Sequence, residues 1–319
     1  FHALHEQIER VFGFEMVNNL DWTKDITVID FLRDYGKYFN VNYMINKETV
    51  KRRLESGISY TEFSYMILQS LDFLHLYEEK NCTLQIGGQD QWGNITSGLE
   101  LIRKKHGNDV ECYGLTMPLI TKADGTKFGK SESGTVWLDA KKTSPYEMYQ
   151  FLVNSEDAKV IEYLKRFTFL DKEEIDRLEE CVAQEPHLRE AQKALAREVV
   201  TFLHGSAAYE TALKITNALF KGNIRDLNAD EQRDALNSME KRSLQEPTDL
   251  ASMLVTTKIA SSKREAREWI KSGSIQINGE RVKEETLMID PSHVLVDGMI
   301  LVKRGKRNYY VVSLTRETE

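Results

Sequence analysis

Thr83-Leu84-Gln85-Ile86-Gly87-Gly88-Gln89-Asp90-Gln91-Trp92-Gly93-Asn94 is the stretch that decides the fold. Its first four residues predict a short strand, and the residues from about Ile95 to Lys105 predict a helix. Strand, Gly-Gly turn and helix in that order is how an open α/β sheet presents ligand groups at the carboxyl ends of its strands. The two glycines permit close backbone approach. Asp90 is placed to accept hydrogen bonds from ribose hydroxyls, and Gln91 offers both a donor and an acceptor. A bare Gly-Gly-x-Asp also suits a plain turn that needs no ligand, so its neighbours matter.

Upstream, Ser59–Glu78 predicts a strong helix. Tyr65, Gln69 and Asp72 fall at i, i+4 and i+7, within an arc of roughly 60° at about 100° per residue. Polar groups buried without partners cost about 1–3 kcal/mol each. Their apolar neighbours Met66, Ile67, Leu68 and Phe73 favour a row that lines a polar pocket over a solvated face. Downstream, Tyr113–Ile120 predicts another apolar strand, which feeds Thr121–Gly134. That loop sets Lys127 and Lys130 either side of Phe128 and Gly129, with Ser131 behind them. Two ammonium groups on a Gly-containing loop can close over a polyphosphate, although a solvated loop is an equally good reading of this segment alone. A Walker A loop needs four residues between Gly and Gly-Lys-Ser/Thr. Only three separate Gly125 from Gly129-Lys130-Ser131, and the residues after Ser131 lead into an extended segment, not a helix.

The 319 residues allow two or three domains, in an overall α/β class. We expect the remainder of a Rossmann-like catalytic domain over 1–143, a helical domain over 144–246 and a small α+β domain over 247–319. Within them, Asp25 is a candidate cap before Thr27–Leu32, Asp171 with Glu174 resembles a capping box, and His187–His204 predicts one amphipathic helix. Ser243–Thr248 is a candidate linker, Asn278-Gly279 a hairpin turn and Val294–Val296 a strand. Cys82, Cys112 and Cys181 fit a reducing cytoplasm better than a disulfide framework, and no metal site is evident. No apolar run approaches a membrane span. The net charge of −7 disfavours indiscriminate nucleic-acid binding, but it is uneven. Residues 248–319 hold 12 Lys and Arg against 10 Asp and Glu, so the preceding residues carry −9. Lys303, Arg304, Lys306 and Arg307 form a basic turn there, and with Arg264, Arg267 and Lys271 they could make a phosphate-contacting face.

The Gly-Thr-Lys-Phe-Gly-Lys-Ser loop, the Leu-Gln-Ile-Gly-Gly-x-Asp-Gln-Trp-Gly-Asn-Ile stretch and the Tyr-Thr-Glu-Phe-Ser-Tyr-x-x-Leu-Gln helix together resemble the bacterial-type tyrosyl-tRNA synthetases, in the family's order and over essentially the whole chain. The resemblance implies a tyrosine–tRNA ligase that forms tyrosyl-adenylate from ATP and L-tyrosine and transfers the tyrosyl group to tRNA(Tyr). It implies that Tyr65 and Gln69 hold the tyrosine ammonium, Asp72 accepts from the phenol and Gln85 supports the pocket. The Gly88 backbone and Asp90 would bind the ribose, and Gln91 the tyrosyl carboxylate or carbonyl. Lys127, Gly129, Lys130 and Ser131 would meet the ATP phosphates, with Mg²⁺ accompanying them. Arg264, Arg267, Lys271, Lys303, Arg304, Lys306 and Arg307 would contact tRNA, and the Ile58–Phe63 region would form a homodimer interface.

The family's first signature, a His-x-Gly-His-type motif, has no counterpart here. We therefore expect the chain to be the carboxyl-terminal part of such an enzyme and not to activate tyrosine as a free polypeptide. A non-catalytic RNA-binding or scaffold protein derived from a synthetase is the alternative. An intact pocket helix and lysine loop argue against it. Tryptophanyl-tRNA synthetases are near relatives, but an acid facing a phenol suits tyrosine better than indole.

Overall fold

The structure is a computed structural model that describes residues 1–131, 134–220, 222–237, 239–305 and 308–314, with the side chains of Thr49, Lys130 and Ser131 outside the description. The chain forms two compact units, Phe1–Phe128 and Gly129–Glu319.

The first unit opens with α1 (His2–Phe12), α2 (Leu20–Thr23), α3 (Val28–Asp30), α4 (Val41–Ile45) and α5 (Glu48–Leu54). Gly13, left-handed at φ 62°, closes α1. The cap of α3 is Thr27, not Asp25: its hydroxyl accepts from the Asp30 amide at 3.2 Å, because the chain turns helical only after Thr27. The long helix α6 (Tyr60–Lys80) starts on a full capping box of Ser59 and Glu62 and ends at Asn81 in a left-handed conformation. Strand β1 (Leu84–Gly88), helix α7 (Trp92–His106) and strand β2 (Tyr113–Met117) come next. β1 and β2 pair in parallel, Leu84 opposite Tyr113 through Gly88 opposite Met117. Two clusters of buried side chains hold this unit: Phe73, Leu74, Leu101, Ile102 and Cys112, and Met44, Val50, Met66 and Ile67.

The second unit begins with a short hairpin, β3 (Lys130–Ser131) and β4 (Gly134–Thr135). After it come six helices: α8 (Pro145–Val153), α9 (Asp157–Phe167), α10 (Lys172–Gln184), α11 (Glu190–His204), α12 (Ser206–Phe220) and α13 (Ala229–Asn237). Asp171 does cap α10, but Glu174 turns its carboxylate to Arg177 and leaves the box half made. The helix expected over His187–His204 begins only at Glu190. Arg189 is left-handed at φ 53°, and its guanidinium donates to the Val153 and Ser155 carbonyls, satisfying the end of α8.

Strand β5 (Glu240–Leu244) takes the first two residues of the expected Ser243–Thr248 linker: it pairs in parallel with β11 (Asn308–Leu314). The elements between are β6 (Thr248–Asp249), α14 (Leu250–Thr256), α15 (Lys263–Lys271), β7 (Ile275–Ile277), β8 (Glu280–Arg281), β9 (Met288–Ile289) and β10 (Met299–Arg304). The sheet order is β5-β11-β10-β7-β8. Asn278 and Gly279 both have positive φ, as the two-residue turn joining β7 to β8 requires. Val294–Val296 is not a strand. Its residues lead into a tight turn at Val296–Gly298, with the Leu295 amide bonded to the Met299 carbonyl. Among the described residues no helix is long and apolar enough to cross a membrane.

Gly114 lets α7 lie directly on the two parallel strands: a Cβ there would come within 2.5 Å of Cγ2 of Ile95, which is fully buried. Gly114→Ala is expected to cost about 1–3 kcal/mol through overpacking, read from the urea midpoint of the variant.

Candidate active site

Helix α6 carries the predicted polar row. Gln69 and Asp72 are half-buried, while Tyr65 is 55% exposed, so the row is open to solvent at its amino-terminal end. Asp72 is the fixed point. Its Oδ1 accepts from Nε1 of Trp22 at 2.9 Å and its Oδ2 from Nδ2 of Asn19 at 3.1 Å. The ring of Trp22 stacks on His75 with centroids 4.3 Å apart. Each oxygen keeps acceptor capacity after these contacts, because a carboxylate offers about four lone-pair sites. Gln69 donates from Nε2 to Oε1 of Gln85 at 3.4 Å, which joins the helix row to the first strand.

Asn19, Trp22 and His75 are the residues that sequence reasoning missed. His75 was within reach, since it lies at i+3 from Asp72 and so on the same face of α6. Asn19 and Trp22 lie some fifty residues away, one just before and one within a four-residue helix, and no periodicity says what they face.

The Gly-Gly turn places the second group. Gly88 ends β1, Gln89–Gln91 form a single 3-10 turn, and α7 starts at Trp92. Gln91 donates from Nε2 to Oδ2 of Asp90 at 3.3 Å, and Asn94 donates to Oε1 of Gln91 at 3.2 Å. Asp90 is exposed at the carboxyl end of the strand. It also rims a cavity of about 780 Å³ lined by Lys47, Arg52, Trp92, Thr96 and Thr116 among others. Lys47 donates there to the hydroxyl of Thr96 at 2.9 Å. The cavity was not visible in the sequence, because α5 and the turn after β1 are distant in the chain.

The lysine stretch is two turns rather than one loop. Lys122 donates its amide to the Thr126 carbonyl at 2.8 Å, and Thr121 bridges Lys127. Asp124 accepts from both the amide and the hydroxyl of Thr126, bonds that hold its carboxyl below the usual carboxylate range. Lys127 is exposed at the end of this turn. The boundary between the two compact units falls between Phe128 and Gly129. Gly129, at φ 87°, then accepts from the Val136 amide and starts the β3–β4 hairpin. The side chains of Lys130 and Ser131 lie outside the described residues.

Among the described residues, the cations of the expected basic face have different partners. On α15, Arg264 pairs with Glu268, while Arg267 and Lys271 share Glu285. Arg304 instead lies 4.6 Å over the ring of Trp269, which at about 100° per residue is roughly 160° round the helix from Arg267. Lys303 sits 4.8 Å over the Tyr309 ring. Lys306 and Arg307 are outside the described residues.

A Cβ on Gly88 would meet Oδ1 of Asp90 at 2.6 Å and Leu119 at 3.0 Å. Gly88→Ala is therefore expected to push the Asp90 carboxylate out of place. The displacement should be read as altered chemical shifts at the Asp90 and Gln91 amides, with the far-ultraviolet circular dichroism unchanged.

Residues 2–221 match the family model described as tRNA synthetases class I (W and Y), and residues 231–312 match the Tyrosine--tRNA ligase SYY-like C-terminal domain. Among curated relatives, the Tyrosine--tRNA ligase of Staphylococcus carnosus is 53% identical over 97% of this chain and 75% of its own length. The protein of the same name from Listeria innocua is 52% identical over 98% of this chain and 76% of its own. The crystal structure of a C-terminally truncated mitochondrial tyrosyl-tRNA synthetase from Aspergillus nidulans superposes with a TM-score of 0.55 at 33% identity, over 69% of this chain and 65% of that one. The chain spans about three quarters of the length of these curated relatives, and it belongs to the class I tyrosyl-tRNA synthetase family.

Proposed function

We propose that the chain performs the tyrosine-recognising, phosphate-stabilising and tRNA-binding work of a tyrosine–tRNA ligase. The observation that carries this reading is Asp72, a carboxylate held by Trp22 and Asn19 at the end of a polar helix row. Two donors from outside its own helix fix its direction, so a phenol arriving at the row meets an acceptor that needs no reorganisation. Phenylalanine would leave that acceptor unpaired, and rejection of phenylalanine by tyrosyl-tRNA synthetases is the standing example of this effect. Tyr65 and Gln69 lie within two turns of Asp72 and would take the ammonium end, with Gln85 holding Gln69.

Asp90 and the backbone at Gly88 would bind the ribose of ATP, beside Gln91 at the tyrosyl carboxylate. A carboxylate oxygen of tyrosine attacks the α-phosphorus, the bond to the β-phosphate bridging oxygen breaks, and pyrophosphate leaves with the electron pair. Lys127, with Gly129, Lys130 and Ser131 by their place in the motif, would meet the charge that builds on the leaving phosphates. Mg²⁺ enters with ATP as the counter-ion of those phosphates. Catalysis of this kind is positioning plus charge stabilisation.

In functional terms the parts remain 1–143 for activation, 144–246 for the tRNA body and 247–319 for a small RNA-binding fold, with β5 tying the second part to the sheet of the third. Lys303 and Arg304 are the preferred phosphate contacts, because aromatic rings pre-orient them whereas Arg267 and Lys271 share a carboxylate. A homodimer in the cytoplasm completes the reading.

In this chain joined to a family-type amino-terminal segment, Asp72→Ala is expected to lower the preference for tyrosine over phenylalanine by about a hundredfold or more in amino-acid-dependent ATP–pyrophosphate exchange. Unchanged discrimination would sink the pocket assignment. For the RNA face, Lys303→Ala with Arg304→Ala should weaken tRNA binding and reduce its logarithmic salt slope by about 2, one for each phosphate no longer neutralised. A slope equal to that of the parent would move the contact to the Arg267–Lys271 side.

A further inference from the structure

We propose that α13 is a positioning strut, clamped at Glu231 and Arg233, that sets the bearing of the Lys303–Arg304 face against the helices so that tRNA can reach both. The proposal rests on the reading that Lys303 and Arg304 bind tRNA.

Three consecutive side chains make α13 a double-ended connector. Glu231 accepts from Nζ of Lys214 on α12 through both oxygens, at 2.8 and 2.7 Å, and also from the Asn228 amide at 2.9 Å. Its side chain is only 11% exposed, so this end of the strut is well shielded. Arg233 faces the other way. Its Nε and Nη2 fork onto Oδ2 and Oδ1 of Asp297, at 2.7 and 3.2 Å, while Nη1 bonds Asp230 at 2.7 Å. Gln232 lies between them, accepting from the Val296 amide at 3.3 Å and donating to the Leu227 carbonyl at 2.9 Å. The strut thus grips α12 at one end and the Val296–Gly298 turn at the other.

That turn leads straight into β10, and β10 ends at Lys303 and Arg304. Asp297 is left-handed at φ 53° within the turn, and its carboxylate meets Arg233 through both oxygens. A strand rises about 3.3 Å per residue, so the cations sit roughly 17 Å from the seat. A tilt of about 10° at the seat would move them by about 3 Å, as long as a whole hydrogen bond. The guanidinium of Arg233 is already committed to two carboxylates in a fork geometry, so its role is to hold the turn and not to meet a phosphate. The Phe220 ring against Tyr309, centroids 5.7 Å apart, supports the same seating from α12.

The test is a charge swap in this chain joined to a family-type amino-terminal segment, the form expected to activate tyrosine. Arg233→Asp and Asp297→Arg alone should each raise the tRNA KM about fivefold, with kcat and tyrosine-dependent ATP–pyrophosphate exchange unchanged. The double variant restores the pair with reversed polarity and should return KM to within about twofold. Arg189 shows that arginine tolerates the same left-handed backbone in this chain. Asp297→Asn, which suits that backbone without the charge, should behave as the single reversals do. A double variant as poor as the singles overturns the strut, because direct RNA contact or misfolding would then explain the losses. Single reversals with parental KM, beside an impaired Lys303→Ala/Arg304→Ala variant, overturn the strut and leave the RNA face standing. If Lys303→Ala/Arg304→Ala binds tRNA as the parent does, the RNA-face reading fails and the proposal falls with it. Amide exchange at Val296–Gly298 supplies the separate mechanical readout. Exchange faster in the singles and slowed again in the double supports the clamp, and exchange unaltered in all three overturns it.

Discussion

The first unit depends on one close approach. Gly98 of α7 lies against the ring of Phe73 of α6, so closely that a Cβ would fall 2.9 Å from the ring. Phe73 is fully buried there, at the centre of the cluster with Leu74, Leu101 and Ile102. Large apolar area leaves water at this point, and interior packing leaves no slack for either helix to slide. Phe73 is the next residue after Asp72, and Gly98 lies a few residues into the helix that comes after Asp90. The same contact therefore sets where Asp72 stands relative to Asp90.

Electrostatics is used sparingly around that packing. Asp72 is surrounded by neutral donors, the indole of Trp22 and the amide of Asn19, and not by a cation. A neutral donor fixes the direction of the carboxylate while leaving it further acceptor capacity; an arginine would occupy more of it. The lysine motif obeys a different logic. It straddles the boundary of the two compact units, so its first cation belongs to one and its second to the other. In the second unit, exposed pairs such as Arg264–Glu268 add little, while the clamps of α13 tie elements far apart in sequence.

Local signals were legible wherever the chemistry is local. The Asn278-Gly279 turn and the Gly-Gly turn after β1 both act within a few residues, and the structure has both. The misses share one cause. The break at Arg189 exists because its guanidinium finds the carbonyls of Val153 and Ser155, more than thirty residues back. Glu240–Leu244 looked like the approach to a linker because its partner, β11, comes nearly seventy residues later. The basic residues of the tail looked like one patch because a sequence does not show that Arg304 packs on Trp269, thirty-five residues earlier, while Arg267 pairs with Glu285.

By itself the sequence determined the chemistry on offer: a polar row of fixed helical spacing, a glycine turn with an acceptor beside it, a lysine motif and a family likeness strong enough to name the reaction. Those depend on covalent order and short-range geometry. Tertiary structure decided which groups are pre-oriented: Trp22 and Asn19 on Asp72, Gln85 on Gln69, Trp269 under Arg304 and α13 between α12 and the Val296–Gly298 turn. The physical reason is that a hydrogen bond or a ring stack has directional strength only once both partners are held, and packing between distant segments does the holding.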